Sequence, residues 1–143
     1  MFEKLRDYRV LAWDVDHTLV NHPRSPEIWR FIKENPYDQV HHIVTMRSHG
    51  MEHMIFPDLE EAGSDLTRDH FSEIVFLEDK IWESYDVKGK FQLLTDDEPY
   101  FHFKGEACKR LGAEILIDDM ENSGVSAIGC DKHGIPYIHP DNL

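Results

Sequence analysis

Short apolar runs alternate along this chain with stretches in which apolar residues return every three or four positions. The first run, Tyr8 to Trp13, ends in acids and predicts a buried central strand. Ser25 then offers an N-cap with Pro26 at the first helical position. Ile28, Phe31 and Ile32 follow at helical spacing until Asn35-Pro36 stops the helix. Val40 to Thr45 predicts a second strand. Met51, Met54 and Ile55 repeat at helical spacing beyond it, with Pro57 breaking or restarting that helix. Ile74 to Leu77 reads as a third strand. From Asp79 to Phe103 the rhythm is weak. Lys88-Gly89-Lys90 suggests a turn between two strand-like pieces, and Thr95-x-x-Glu98 a capping box. Ala107 to Leu111 predicts a helix ended by Gly112, Glu114 to Ile117 a strand, Val125 to Ile128 a helix, and Ile135 to Ile138 a closing strand. Strands alternating with helices imply an α/β fold: a doubly wound, mostly parallel sheet with helices on both faces, in one domain spanning 1–143.

Composition narrows the partners. The 143 residues suit one core; 28 acidic against 15 basic residues give a formal net charge of −13. No Lys/Arg run offers the phosphate-neutralising surface that nucleic-acid binding needs, so such a partner is disfavoured. No apolar stretch approaches the ~20 residues of a membrane span, and the start Met-Phe-Glu-Lys-Leu-Arg lacks the marks of a signal peptide. A cytoplasmic protein without membrane contact is expected. Cys108 and Cys130 lack Cys-x-x-Cys spacing and read as two reduced, partly buried thiols.

In open parallel sheets the ligand crevice lies beyond the carboxyl ends of the strands, so polar residues just after apolar runs are the first candidates for a site. The first strand ends in Asp14 and Asp16. The second ends in Thr45, with Arg47 and Ser48 beyond. The late strand ends in Asp118-Asp119, and Lys104 is expected just ahead of the helix leading to that strand. Asp96-Asp97 has no apolar strand before it and reads as a solvated loop or helix start. Carboxylates gathered at one spot repel one another unless a hard cation joins them, and a small set of oxygen ligands suits Mg²⁺. Such an ion lets a phosphate dianion approach a carboxylate nucleophile. Asp14 fits the nucleophile, Asp16 an acid and base, Thr45 and Arg47 phosphate contacts, and Lys104 an electrostatic stabiliser that also binds the substrate. Lys88 and Lys90 are rivals to Lys104.

Asp14-Val15-Asp16-His17-Thr18-Leu19 resembles the Asp-x-Asp-x-Thr first motif of the haloacid dehalogenase superfamily. Ile43-Val44-Thr45 resembles its second motif, Lys104 its third, and Ile115-Leu116-Ile117-Asp118-Asp119 the Asp-Asp form of its fourth, all in the family's order. The resemblance implies a Rossmann-like sheet and hydrolysis of phosphate monoesters through an aspartyl phosphate on Asp14. It also implies Mg²⁺ held by the carboxylates of Asp14 and Asp118 and the backbone carbonyl of Asp16, with Asp119 nearby. Asp16 resembles the phosphatase and phosphotransferase branches rather than the dehalogenases. No full cap domain fits, only a small insert at 79–103 near the site. This is similar to the capless magnesium-dependent phosphatases, whose fourth motif is also followed by an Asn, as Asn122 is here. An open site implies a large substrate such as a phosphoprotein, or a second copy of the chain serving as lid over a small one.

Three rivals use similar residues. His49-Gly50-Met51-Glu52-His53 matches the His-x-x-Glu-His pattern of inverted zinc proteases, but a solvated His-rich helix face flanked by core methionines accounts for it. A receiver domain, a phosphoacceptor without turnover, places its acidic pair on the first strand and its phosphoacceptor on the third, an order this chain lacks. A metal-dependent nuclease would use clustered carboxylates with two cations, against the chain's strong negative charge.

Overall fold

A computed structural model describes residues 2–91, 94–95, 97–120 and 125–143. Five parallel strands, β1 (Val10–Trp13), β2 (Val40–Ser48), β3 (Ile74–Leu77), β4 (Ile115–Ile117) and β5 (Tyr137–Ile138), form one sheet in the order β3-β2-β1-β4-β5. Helices α1 (Ser25–Glu34), α2 (Ile55–Ala62), α3 (Asp79–Phe91), α4 (Pro99–Leu111) and α5 (Val125–His133) connect them. This is the doubly wound, Rossmann-like α/β architecture the alternation predicts.

Period-two alternation divides the core. Leu11, Trp13, Ile43, Ile115 and Ile117 pack against Ile28, Phe31 and Ile32 of α1 and Ile55 and Leu59 of α2. Ala12, Val44 and Leu116 pack against Phe103, Ala107 and Cys108 of α4 and Cys130 of α5. Both cysteines are buried free thiols. None of the described helices is long and apolar enough to cross a membrane.

Several local expectations are corrected. Ser25 does not cap α1: its hydroxyl donates to Thr18 O at 2.7 Å and accepts from His22 N–H, tying the loop after β1 to the helix start. β2 does not end at Thr45 but runs to Ser48, because its pairing with β3 shifts register between Val44 and Ser48. Met51 and Met54 are exposed, not core: residues 49–54 form a 3₁₀ turn, and α2 restarts at Ile55 with Pro57 in its first turn, where no intrahelical bond is lost. The 3₁₀ turn also removes the α-helical spacing that the zinc pattern requires. The segment read as two strand-like pieces is α3, with Gly89 inside it. Glu98 is the N-cap residue of α4 but makes no side-chain cap bond; its carboxylate pairs with Lys88 at 3.0 Å instead. Asp97 is exposed, while Asp96 and Asn122 fall outside the described residues.

Candidate active site

β1 sends the chain to β2 on one side, and the return to β4 lands on the other side. The β1–β4 boundary is therefore the topological switch point where an α/β sheet opens a crevice. Asp14 leaves β1 there, its N–H bonded to Ile117 O at 2.9 Å, and Asp118 leaves β4 beside it. Two left-handed residues, His17 (φ 59°) and Met120 (φ 57°), follow Asp16 and Asp119 and turn the chain sharply after each acid. A cavity of about 190 Å³ results, lined by Asp14, Asp16, His17, Met46, Lys104, Asp118, Asp119 and Ser126.

Lys104 is not ahead of a helix; it sits in the second turn of α4, because that helix begins at Pro99 rather than Ala107. The residue is 3% exposed, and its ammonium donates to Asp14 Oδ1 at 2.7 Å and Asp118 Oδ2 at 2.6 Å. The rivals are engaged elsewhere: Lys88 with Glu98 and Lys90 with Asp86. Asp118 is further held by Ser126 Oγ at 2.9 Å and by Met120 N–H at 2.9 Å.

Burial raises Asp14 well above the usual carboxylate range; Lys104 opposes the shift and the neighbouring Asp118 reinforces it. Burial also pushes Asp118 upward, but Lys104, Met120 N–H and Ser126 outweigh it and hold Asp118 below the usual range. Burial alone would lower Lys104, yet the two carboxylates raise it. One lysine thus neutralises one carboxylate comfortably and leaves the cluster short of positive charge. Oxygens of Asp14, Asp118 and Asp119 lie within 4.8 Å of one another, an all-carboxylate donor set that fits a small hard cation.

Asp16 faces the same cavity but belongs to a second network. Arg47 donates Nε to its Oδ2 at 3.1 Å and Nη2 to its Oδ1 at 2.8 Å, and Nη1 to Asp58 Oδ2 at 2.8 Å. These bonds from Arg47 lower Asp16 and keep it a carboxylate. Arg47 is therefore a partner of Asp16 and is not among the residues lining the cavity. Thr45 is fully buried, accepts Arg47 N–H on its hydroxyl at 3.0 Å, and likewise does not line the cavity.

Among the sequence-derived candidates, the structure brings together Asp14, Asp16, Lys104, Asp118 and Asp119; Thr45 and Arg47 stand one layer behind. Sequence reasoning missed Ser126, Met46, His17 and Asp58. His17 lies within the first acidic loop and was within reach of the spacing argument; the others arrive through tertiary contacts that no local signal records.

A second metal-capable group is His22, His139 and Asp141. There, Nδ1 of each ring accepts a backbone N–H, from Arg24 and Asp141, each at 3.0 Å, so each ring carries its proton on Nε2. His22 Nε2–H donates to Asp141 Oδ1 at 2.8 Å. The cluster is satisfied as a hydrogen-bonded clasp between the loop after β1 and the C-terminal turn.

Fold and site together define the class: a Rossmann-like α/β domain whose switch-point crevice is an acidic cavity bridged by one buried lysine. At 18% identity and a TM-score of 0.45, the chain is similar to the core domain of a proposed phosphoglycolate phosphatase from Streptococcus pneumoniae TIGR4, solved by NMR, with 92% of this chain and 78% of that one covered. At 11% identity and a TM-score of 0.47 it is similar to a universal stress protein crystallised with cAMP, covering 92% of this chain and 95% of that one. Likenesses this distant say nothing about chemistry. No family model matches the sequence, and no curated protein does.

Proposed function

We propose that this chain is a haloacid-dehalogenase-type phosphatase of the capless, magnesium-dependent kind, hydrolysing phosphate monoesters through an aspartyl phosphate on Asp14. The observation that carries this reading is Lys104, buried and bonded at once to the carboxylates of Asp14 and Asp118 at the switch point. A buried cation tied to a nucleophile candidate and its neighbour is the arrangement that stabilises charge on a transferred phosphoryl group.

Asp14, Asp118 and Asp119, with the backbone carbonyl of Asp16, would hold Mg²⁺. That ion supplies the positive charge that lets a phosphate dianion enter a cavity lined by four carboxylates. In the first half, an Asp14 carboxylate oxygen forms a bond to phosphorus as the ester P–O bond breaks, and the leaving oxygen takes up a proton. In the second, a water oxygen bonds to phosphorus, the Asp14 O–P bond breaks, and the water's proton passes to a base. Asp16, held as the carboxylate by Arg47, is suited to be that base. Acting as the acid in the first half requires Arg47 to loosen its hold. Lys104 offsets negative charge on Asp14 and on the transferred group in both halves.

An assay with Mg²⁺ and a generic aryl phosphate tests this reading. Asp14→Asn or removal of the cation by a chelator is expected to lower turnover by about a thousandfold or more. Turnover that survives either change contradicts the mechanism.

A further inference from the structure

On the reading that Asp14 carries the phosphoryl group and Asp16 activates the water that removes it, we propose that Asp58 of α2 is a positioning residue for that second step. Acting through Arg47, it fixes the plane of the Asp16 carboxylate.

The geometry forms a continuous chain of contacts from core to site. Ile55 and Leu59, both fully buried, anchor α2 to the sheet, and Asp58 lies between them. Asp58 Oδ2 takes Nη1 of Arg47 at 2.8 Å, on the side of the guanidinium away from the Nε/Nη2 edge. That opposite edge meets both oxygens of Asp16, at 3.1 and 2.8 Å. The Asp16 side chain is 48% exposed, whereas that of Arg47 is 10% exposed, so a half-exposed carboxylate is set by a largely enclosed planar fork. The backbone of Arg47 is pinned as well, by its N–H bond to Thr45. With its side-chain bonds spent on two carboxylates, Arg47 serves the site by orienting Asp16. Remove Asp58 and the guanidinium can pivot about its stem, and the Asp16 fork pivots with it.

With an aryl phosphate, whose phenolate leaves without needing a proton from Asp16, only the second half of the reaction then suffers. The ratio kcat/KM reports the steps up to formation of the phosphoenzyme, while kcat includes its hydrolysis. Slower hydrolysis alone lowers kcat and KM together and lets phosphoenzyme accumulate.

The test uses the full chain with Mg²⁺ and 4-nitrophenyl phosphate, comparing wild type, Asp58→Asn and Asp58→Glu. Asp58→Asn is expected to lower kcat about tenfold, a part of what acid–base catalysis contributes, with KM falling in parallel. The fraction of enzyme carrying an acid-stable phosphoryl group at steady state should rise. Asp58→Glu, which keeps a carboxylate within reach of Arg47, should recover most of kcat. A fall in kcat at constant KM without phosphoenzyme build-up, or no change in kcat, overturns the proposal while leaving the phosphatase reading intact. A wild type that forms no phosphoenzyme overturns both.

Discussion

Two buried titratable side chains in this molecule face opposite outcomes, and the difference lies in their partners. Lys104 is enclosed but meets two carboxylates, so it stays charged. His41 is also enclosed, but its ring meets neutral groups: Nδ1 accepts Trp13 Nε1–H at 3.0 Å, and Nε2 lies 3.2 Å from Asn35 Oδ1. Burial, with smaller contributions from His42 and His70, lowers His41 to about 4. Between that value and the ordinary histidine range the unfolded chain binds more protons than the folded one. The stability from neutral His41 is therefore fully present above about pH 6.5 and is lost as pH falls from there toward 4, a loss on the order of 3 kcal/mol. His42, lowered by burial too, adds in the same direction, whereas Asp14, raised by burial, opposes it. Thermal melts between pH 8 and 4.5 should show a steeper acid loss for wild type than for His41→Gln, which keeps an acceptor for Trp13 but cannot take a proton. Equal slopes would remove His41 from the explanation. At this scale the acids were legible because Asp14 and Asp118 directly follow apolar strand residues, with Asp16 and Asp119 one or two positions further on. Asp58 and Ser126 were not: each joins the site through a contact set by how helices cross, which has no counterpart in local spacing.

The helix pair α4 and α5 decides whether the site exists at all. The two helices touch at Gly105 and Gly129, where a Cβ on Gly105 would stand 2.2 Å from Gly129 O and one on Gly129 2.9 Å from Phe101 O. This contact lets α4 bring Lys104, and α5 Ser126, to the same Asp118. Gly105→Ala must push the helices apart, since the opposing atom is backbone and cannot rotate away. A destabilisation of about 3 kcal/mol is expected by chemical denaturation, together with loss of turnover in whatever fraction remains folded. A near-neutral effect on both would show that the crossing is looser than described. Gly105 also illustrates why the region from 79 to 111 was hard to read. Weak amphipathicity hides α3: Trp82 and Val87 are exposed while Ile81 and Tyr85 pack inward, so apolar residues ring the helix instead of marking one stripe. In α4, Lys104 and Gly105 interrupt the apolar spacing at the two positions where site and packing demand them. The strands gave clearer signals, because a strand buried on both faces reads as an unbroken apolar run.

Across the whole molecule, strand order turns scattered acids into one cavity. Asp14 and Asp118 are 104 positions apart by number, yet β1 and β4 are neighbours, and both acids leave the same edge. The alternation of strands and helices was enough to infer a parallel doubly wound sheet, and with it that strand ends would converge. Register was not readable: the shift in β2 past Val44 leaves Thr45 buried and turns Arg47 toward Asp16 and Asp58. On the proposed phosphatase reading, a net charge of −13 sets the remaining problem, since a phosphate dianion has to enter an acidic cavity on an acidic protein. On that reading Lys104, with the cation that Asp14, Asp118 and Asp119 would hold, answers it locally. The central claim, that Asp14 accepts the phosphoryl group, is tested most directly by acid-quenching the Mg²⁺-loaded protein during turnover of a phosphate ester and mapping the modified peptide by mass spectrometry. One phosphoryl group on Asp14, absent in Asp14→Asn, is the predicted result. Continued turnover with the phosphoryl group on another residue, or with none on the protein, would contradict it.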